Sequence, residues 1–407
     1  MKALVLAGGF PQIALIKELK SRGIETLLAD WGSNPVARKY ADKFYQVSTL
    51  DVEAIKSVAE KEKVDFLITA CTDQALLTVA CVSEDLGLPC YIDYKTALNV
   101  TNKAYMKKVF IENEISTAKY LIMGELDLEQ LKGMPYPLIV KPVDCNSSKG
   151  VKKVGNIDEL KKAFSDAINF SRTKTAIIEQ YIDGPEISVD VYVEDGKAHV
   201  LCISNNDKIA DKDKFIIFRG RCPARETDKI RGQIELIAQQ IADAFNLKNS
   251  PMLIQLITDG EKAYVLEFSA RTGGGTKFLR IKTVANFDVI KAVVDLTLGE
   301  KPHVEKAIND IFLADEFIYC KNGTFDHLEG FNELKEKGVV SDYYLFKNKG
   351  SVMDKVSSSG DRIAGVTVVA QTLEKLIEKH DLVAKTIKVI DKDGQDIMRH
   401  DLFTELT

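Results

Sequence analysis

The chain has 407 residues and a mass of 45.3 kDa, enough for two to three domains. Hydrophobic residues make up 45% and charged residues 28%, which excludes a disordered, collagen-like or Pro-rich chain. The net charge of −5 and a pI near 5.8 argue against a nucleic-acid partner, which calls for a basic face. No apolar run approaches the roughly 18 residues that cross a bilayer, and the apolar start is too short for a signal-peptide core. The seven cysteines are odd in number and form no CxxC pair, as expected of reduced core thiols in a cytoplasmic protein.

The first 95 residues alternate strand and helix patterns. Strands are expected at 3–7, 25–29, 44–47 and 65–69. Helices are expected at 13–19, at 51–60 with Asp51 as N-cap, and at 74–86 closed by Gly87. That alternation means a parallel, Rossmann-like sheet with crossover helices. The turn Gly8-Gly9-Phe10-Pro11 lacks the third glycine of a dinucleotide fingerprint, which disfavours an NAD(P) oxidoreductase.

From residue 96 the pattern changes. A helix is expected at 103–113, and strands at 138–142 and 151–154. A helix at 158–168 follows, then strands at 176–182, 186–193, 197–204 and 215–219, with a charged loop at 205–214. Further on come a helix at 230–246, strands at 251–257 and 263–269, and a helix at 287–298 capped by Asn286. The last region, 301–407, reads as mixed, with strands at 310–319 and 363–371 and a helix at 372–380. The expected division is 1–95, 96–300 and 301–407, an α/β and α+β multidomain chain.

Several residues suggest phosphate chemistry. Lys103 stands at a helix start and Lys141 at a strand end, both suited to phosphate oxygens. Between Lys141 and the next strand, the loop 144–150 ends Ser147-Ser148-Lys149-Gly150, small residues whose N–H groups can close over phosphates. Glu267, Ser269 and Arg271 are two apart on one strand and share a face. Gln255 joins that face only if the hairpin loop near Asp259-Gly260 has an odd number of residues, and an odd loop, for instance of three, is expected. Gln255 and Glu267 are then oxygen ligands for a hard cation, and Arg271 is placed to steady a transferring phosphoryl group.

In this order and spacing, the motifs T-N-K103, L-I-V-K141-P, S-S-K-G150-V, E179-Q-Y181-I182, G-P-E186 and Q255…E267-F-S269-A-R271 resemble those of ATP-grasp ligases. The similarity is to the branch with carbamoyl-phosphate synthetase, biotin carboxylase and the bacterial amino-acid ligases. The resemblance covers the whole chain. It implies an N-terminal α/β domain, an ATP-grasp fold and a C-terminal mixed domain that completes the substrate site. It implies ATP held by Lys103, Lys141, Ser148 and Gly150, with Glu179, Tyr181 and Ile182 at the adenine hinge and Glu186 on the ribose. It implies Mg²⁺ or Mn²⁺ on Gln255, Glu267 and Ser269, where Ser269 replaces the family's usual Asn. Arg271 becomes the catalytic residue and loop 144–150 a lid.

The implied reaction joins a carboxylate to an amine through an acyl phosphate. The stretch 357–365 (S-S-G-D-R-I-A-G-V) resembles the small amino-acid ligases, which favours an amino acid as substrate. Arg219 and Arg221 are candidates for a substrate carboxylate, and Asp73 for a contact from the N-terminal domain. The alternatives are a purine-pathway ligase acting on a ribonucleotide amine, and a nucleotide-binding regulator without turnover. The partners expected are small molecules, with no nucleic acid and no membrane, and a homodimer.

Overall fold

The computed structural model describes residues 1–145, 150–209, 216–224, 227–305 and 308–406. The N-terminal unit comprises β1 (Lys2–Leu6), α1 (Phe10–Ser21), β2 (Glu25–Asp30), β3 (Lys43–Gln46), α2 (Val52–Glu62), β4 (Phe66–Ile68) and α3 (Asp73–Leu86). Its four strands form a parallel sheet in the order β3-β2-β1-β4. The sequence signals act as expected. Asp51 caps α2 by accepting the Ala54 N–H at 3.0 Å, and Gly87 ends α3 in the left-handed region at φ 64°.

Two helices lead on, α4 (Tyr94–Thr101) and α5 (Lys103–Glu112). A small antiparallel sheet follows, from β5 (Tyr120–Met123), β6 (Leu138–Pro142), β7 (Lys152–Val154) and β8 (Ala176–Gln180), in the order β5-β8-β6-β7. Helix α6 (Ile157–Phe170) buries Leu160, Ala163, Phe164 and Ala167 against it.

The main body is an eight-stranded sheet in the order β13-β12-β9-β10-β11-β14-β18-β16. Its strands are β9 (Glu186–Glu194), β10 (Lys197–Lys208), β11 (Ile217–Cys222), β12 (Ser250–Thr258), β13 (Ala263–Ser269), β14 (Phe312–Ile318), β16 (Asp342–Leu345) and β18 (Ala364–Ala370). A separate three-stranded sheet holds β15 (Gly323–Glu329) between β17 (Val352–Met353) and β19 (Lys388–Asp391). The remaining helices are α7 (Thr227–Ala244), α8 (Lys277–Ala285), α9 (Val289–Thr297), α10 (Phe331–Glu336) and α11 (Leu373–Thr386). The main sheet runs on across residue 300, because β14 pairs with β11 from Arg219↔Glu316 to Cys222↔Leu313.

Strand β9 shows why the site lies where it does. Ile187, Val189, Val191 and Val193 point to one face and join a core with Ile230, Ile234, Ile237 and Ile241 of α7. Glu186, Ser188 and Asp190 point to the other face, yet they too are buried. A face of polar residues at this depth needs cover and partners. Asn206, Lys208 and Gln255 partner Glu186, and Asn206 also partners Ser188.

Three expectations about elements are corrected. Strand β10 continues to Lys208 through residues expected to form a loop, because pairing with β9 and β11 overrides the poor strand propensity of Asn205, Asn206 and Asp207. Asn286 is not an N-cap; it ends α8 at φ 51°, and Asp288 caps α9. Helix α8 itself was not expected from the sequence.

Candidate active site

Two clefts meet at Lys103, Ile217, Gln255 and Glu267, which line both. The first lies between the small sheet and the main sheet. Its walls include Ala118, Ile139, Tyr181, Ile257 and Leu266. At its rim the Ile182 N–H has no hydrogen-bond partner among the described residues, so an edge donor is available beside an apolar slot. That fits an adenine ring read by backbone groups.

The cations of this cleft are set by local structure. Asn102 caps α5 by accepting the N–H groups of Ala104 at 3.0 Å and Tyr105 at 3.1 Å, which puts Lys103 at the first helical position. The Lys103 ammonium lies 3.1 Å from Glu267 Oε2 and donates to the Cys145 carbonyl at 2.7 Å. The Lys141 ammonium lies 2.5 Å from Glu179 Oε2, and the buried Lys107 ammonium lies 2.7 Å from Glu179 Oε1. Burial works to raise the Glu179 carboxyl, but the two ammonium groups outweigh it and hold it down at about 2. Burial likewise works to raise Glu267, and Lys103 and Lys141 bring it below the usual carboxylate range. Burial lowers Lys107 in spite of Glu179.

The Glu179 side chain therefore stands under Lys141 as its counter-ion. The adenine hinge is expected of the backbone over 179–182, where the Ile182 N–H is the available donor. Glu186 pairs with Lys208 and accepts from Asn206 Nδ2 and Gln255 Nε2, each at 3.1 Å. Gly150 sits at φ 75°, and a Cβ there would lie 2.9 Å from the Pro142 ring, so glycine is required for packing at the loop end. Ser148 lies outside the described residues, as do the other residues 146–149 of the lid loop.

Gln255 and Glu267 face each other, but not through an odd loop. The hairpin loop has four residues, 259–262, between Thr258 and Ala263. A bulge shifts the register beyond Leu256↔Val265, so Gln255 pairs with Glu267 and Leu266 is the extra residue. Without the bulge Leu266 would stand opposite Gln255. Ser269 shares their face, yet its hydroxyl is directed to Asp73. The described residues contain no group of three or more His, Cys, Asp or Glu able to hold a metal. One ionised carboxylate and one amide oxygen fit a hard cation that takes its other ligands from phosphates and water.

The second cleft runs from Glu267 towards α8 and the C-terminal region. Arg271 and Asp73 face each other across it, with Arg271 Nε 2.7 Å from Asp73 Oδ1 and a second contact from Nη2. Burial works to raise Asp73, and Arg271 holds it below the usual carboxylate range. The expected contact from the N-terminal unit is thus a bidentate lock on Arg271.

The arginine expectations at 219 and 221 need correction. Arg219 is 2% exposed, with its guanidinium on Glu316, His380 and the Thr404 carbonyl at 2.7 Å. It fastens the C-terminal region to the main sheet and has no donor to offer a substrate. Arg221 is paired with Asp207 at 2.8 Å. Besides Lys103 and Arg271, the cations that do line the second cleft are Lys277, Arg280 and Arg362. Arg280 bonds Asp315 Oδ2 through Nε and Nη2 and Ser204 Oγ at 2.6 Å, above Gly220, where a Cβ would lie 2.2 Å from Nη2. Arg362 stacks 3.6 Å over the Phe317 ring and donates to Tyr319 Oη and the Ile217 carbonyl, each at 3.1 Å. The Gly273–Gly275 stretch makes room for them. A Cβ at Gly273 would meet Lys277 Cδ at 2.2 Å, and one at Gly275 would press on Arg362 and Phe317 at 3.2 Å.

The N-terminal glycine turn is filled by the protein. The Asp30 carboxylate accepts the N–H groups of Gly8 and Gly32 at 2.7 Å each, and Pro35 packs on Gly8. A dinucleotide phosphate has no cradle there.

Residues 134–278 match the family described as ATP-grasp domain. The chain carries an ATP-grasp domain. Residues 316–391 match the family described as L-amino acid ligase C-terminal domain 2. Around this ATP-grasp core the whole chain is alignable. It is 22% identical over 430 residues to phosphoribosylamine–glycine ligase of Lactococcus lactis, covering 99% of each chain. It is 22% identical over 341 residues to the L-arginine-specific L-amino acid ligase of Bacillus subtilis, covering 81% of this chain and 82% of that one. The fold matches an L-amino acid ligase from Bacillus licheniformis with a TM-score of 0.79 at 20% identity, covering 96% and 99%. It also matches the biotin carboxylase domain of a Hydrogenobacter thermophilus 2-oxoglutarate carboxylase, solved with MgADP, with a TM-score of 0.79 at 17% identity, covering 99% and 92%. The expected fold class, a parallel α/β unit followed by an ATP-grasp and a mixed α+β region, is borne out.

Proposed function

We propose that the protein is an ATP- and Mg²⁺-dependent ligase that joins the carboxylate of an amino acid to an amine, releasing ADP and phosphate. The observation that carries this reading is the junction of the two clefts. Lys103, Gln255 and Glu267 belong to both an apolar slot with a backbone edge donor and a polar chamber with guanidinium groups. A terminal phosphate held at that junction faces both a nucleotide and a second substrate.

In this reading the adenine lies along Ile182, and Glu186 meets the ribose. Lys103 and Lys141 take phosphate oxygens in exchange for their carboxylate partners. Gln255 and Glu267 would hold Mg²⁺, which when bound neutralises charge on the phosphates; Ser269, turned to Asp73, is left out of that set. The substrate carboxylate attacks the γ-phosphorus, giving an acyl phosphate and ADP. The amine then attacks the acyl carbon and expels phosphate. Arg271, held rigid by Asp73, is the donor for negative charge on the acyl phosphate and the tetrahedral intermediate.

The C-terminal match favours an amino acid over a ribonucleotide amine, although full-length similarity to phosphoribosylamine–glycine ligase keeps the purine-type reaction as the second reading. The proposal includes a homodimer in the cytoplasm, where the seven free cysteines stay reduced; light scattering of the purified protein tests the dimer. The main test is ADP release with ATP and Mg²⁺ across pairs of amino acids and amines, with phosphoribosylamine and glycine as a further pair. Release that needs one amino acid and one amine together supports the reading, and EDTA should abolish it. Release only with the phosphoribosylamine pair selects the second reading. Failure to bind ATP sinks both.

A further inference from the structure

One group in the second cleft has no role so far. Lys277 lines the cleft, yet its ammonium has no hydrogen-bond or ion-pair partner among the described residues. Its stem lies in the space that Gly273 leaves free. The polar face beneath contains Asp190, 1% exposed, with neither carboxylate oxygen hydrogen-bonded. Asp190 pairs with Leu253 on β12, and Leu253 lines the same cleft. A half-buried lysine on the cleft wall and a buried carboxylate on the strand beside cleft-lining Leu253, both left without hydrogen bonds, are costly to keep for packing alone.

On the ligase reading above, we propose that Lys277, backed by Asp190, is the proton acceptor that converts the incoming substrate ammonium into the attacking amine. The balance is simple. Neutral Lys277 takes one proton from the substrate R-NH₃⁺ and becomes charged. The free amine forms the C–N bond, the C–O bond to phosphate breaks, and the second amine proton leaves with the phosphate as hydrogen phosphate. The lysine returns its proton to solvent when the products leave.

The surroundings suit that task. Asp190 and Glu186 on β9, Cys202 on β10 and Arg280 on α8 are the ionisable groups acting on Lys277. Burial is the largest influence and lowers it, Asp190 pulls it back up and Arg280 pushes it down, leaving it at about 8. Lys277 also opens α8, a nine-residue helix, and the positive end of the helix dipole disfavours its charged form. Burial likewise raises Asp190. A base close to neutrality is what general-base catalysis needs.

Hydroxylamine separates this proposal from the reading it rests on, because it is already unprotonated at neutral pH. The twenty proteinogenic L-amino acids are offered singly as acids, first with hydroxylamine and then with each other as amines. Hydroxamate formed by the wild type establishes the acyl phosphate; no hydroxamate with any acid overturns the ligase reading and this proposal with it. With the acid so identified, Lys277→Met should lose about 100-fold in peptide formation while hydroxylamine rescues turnover. Equal loss with both amines would make Lys277 a substrate anchor, and no loss would leave it outside the reaction; either result overturns the proposal. Asp190→Asn supplies a second readout. Removing a negative neighbour lowers the lysine, so the rising limb of the peptide-formation pH profile should move to lower pH, with the hydroxamate profile unmoved. A limb that stays put overturns the role of Asp190.

Discussion

The two clefts handle charge in opposite ways. In the nucleotide cleft each cation already holds an anion of the protein: Lys103 with Glu267, Lys141 and Lys107 with Glu179, Lys208 with Glu186. In the substrate cleft Lys277 and Arg362 have no carboxylate hydrogen-bonded or ion-paired to them among the described residues. On the proposed function, phosphate binding at these lysines would be an exchange of partners: the carboxylates keep the lysines in place, and a phosphate would displace them. In the substrate cleft Arg271 and Arg280 are held by Asp73 and Asp315, but Lys277 and Arg362 have no such placeholder, so a ligand that meets those two displaces no carboxylate.

The comparison breaks first at Arg271, which lines the second cleft. Arg271→Ala should lower ADP release about 100- to 1000-fold, with ATP binding by calorimetry retained as the sign of an intact nucleotide cleft. Lys107→Met removes one of two counter-ions from a buried carboxylate. It should cost about 3 kcal/mol or more in urea unfolding; a loss under about 1 kcal/mol would mean that Lys141 alone satisfies Glu179. Gly220→Ala tests the other cleft, since its Cβ would displace the Arg280 guanidinium from Asp315. Overpacking of that kind costs about 1–3 kcal/mol, and unchanged stability would show that Arg280 moves freely.

The pH dependence sharpens the contrast. Glu179 is held at about 2, below the unfolded value of about 4.3. Its contribution to stability is therefore complete above the unfolded value and is lost as pH falls through about 2. The stability gap between wild type and Glu179→Gln should be constant near neutrality and close between about pH 4.3 and 2. The smallest effect is expected at Ser269. With its hydroxyl turned to Asp73, Ser269→Ala should change the Mg²⁺ dependence of ADP release by less than about 3-fold, within the usual worth of one hydrogen bond.

Much of the nucleotide cleft was legible because its signals are local. Asn102 before Lys103 and Pro142 after Lys141 are one-residue cues to the position of each lysine. The pairing of Gln255 with Glu267 was legible in outcome but not in cause, since the extra residue sits inside the strand at Leu266, with no glycine to mark it. The substrate cleft was hidden by distance. Arg219 looked available because its partners Glu316, His380 and Thr404 lie 97 to 185 positions away in the chain. Lys277 and Arg280 are three apart, and three-residue spacing puts both on one helix face, but that helix was not foreseen. Three consecutive glycines followed by Thr-Lys were the available signal. They are the positions where long cationic side chains cross the backbone, at Gly273 and Gly275.

The unbroken hydrogen-bonding between β11 and β14 bears on how such a chain can be taken apart or recombined. A cut near residue 300 would bare the whole length of β11 as an open edge, an invitation to self-association. It would also strand the Arg219 guanidinium with its carboxylate gone. The C-terminal quarter therefore cannot be exchanged for another like a cartridge. A donor segment would have to bring a strand in matching register and an acid at the position of Glu316, so chimaeras in this architecture are best joined inside a loop that leaves the β11–β14 ladder whole.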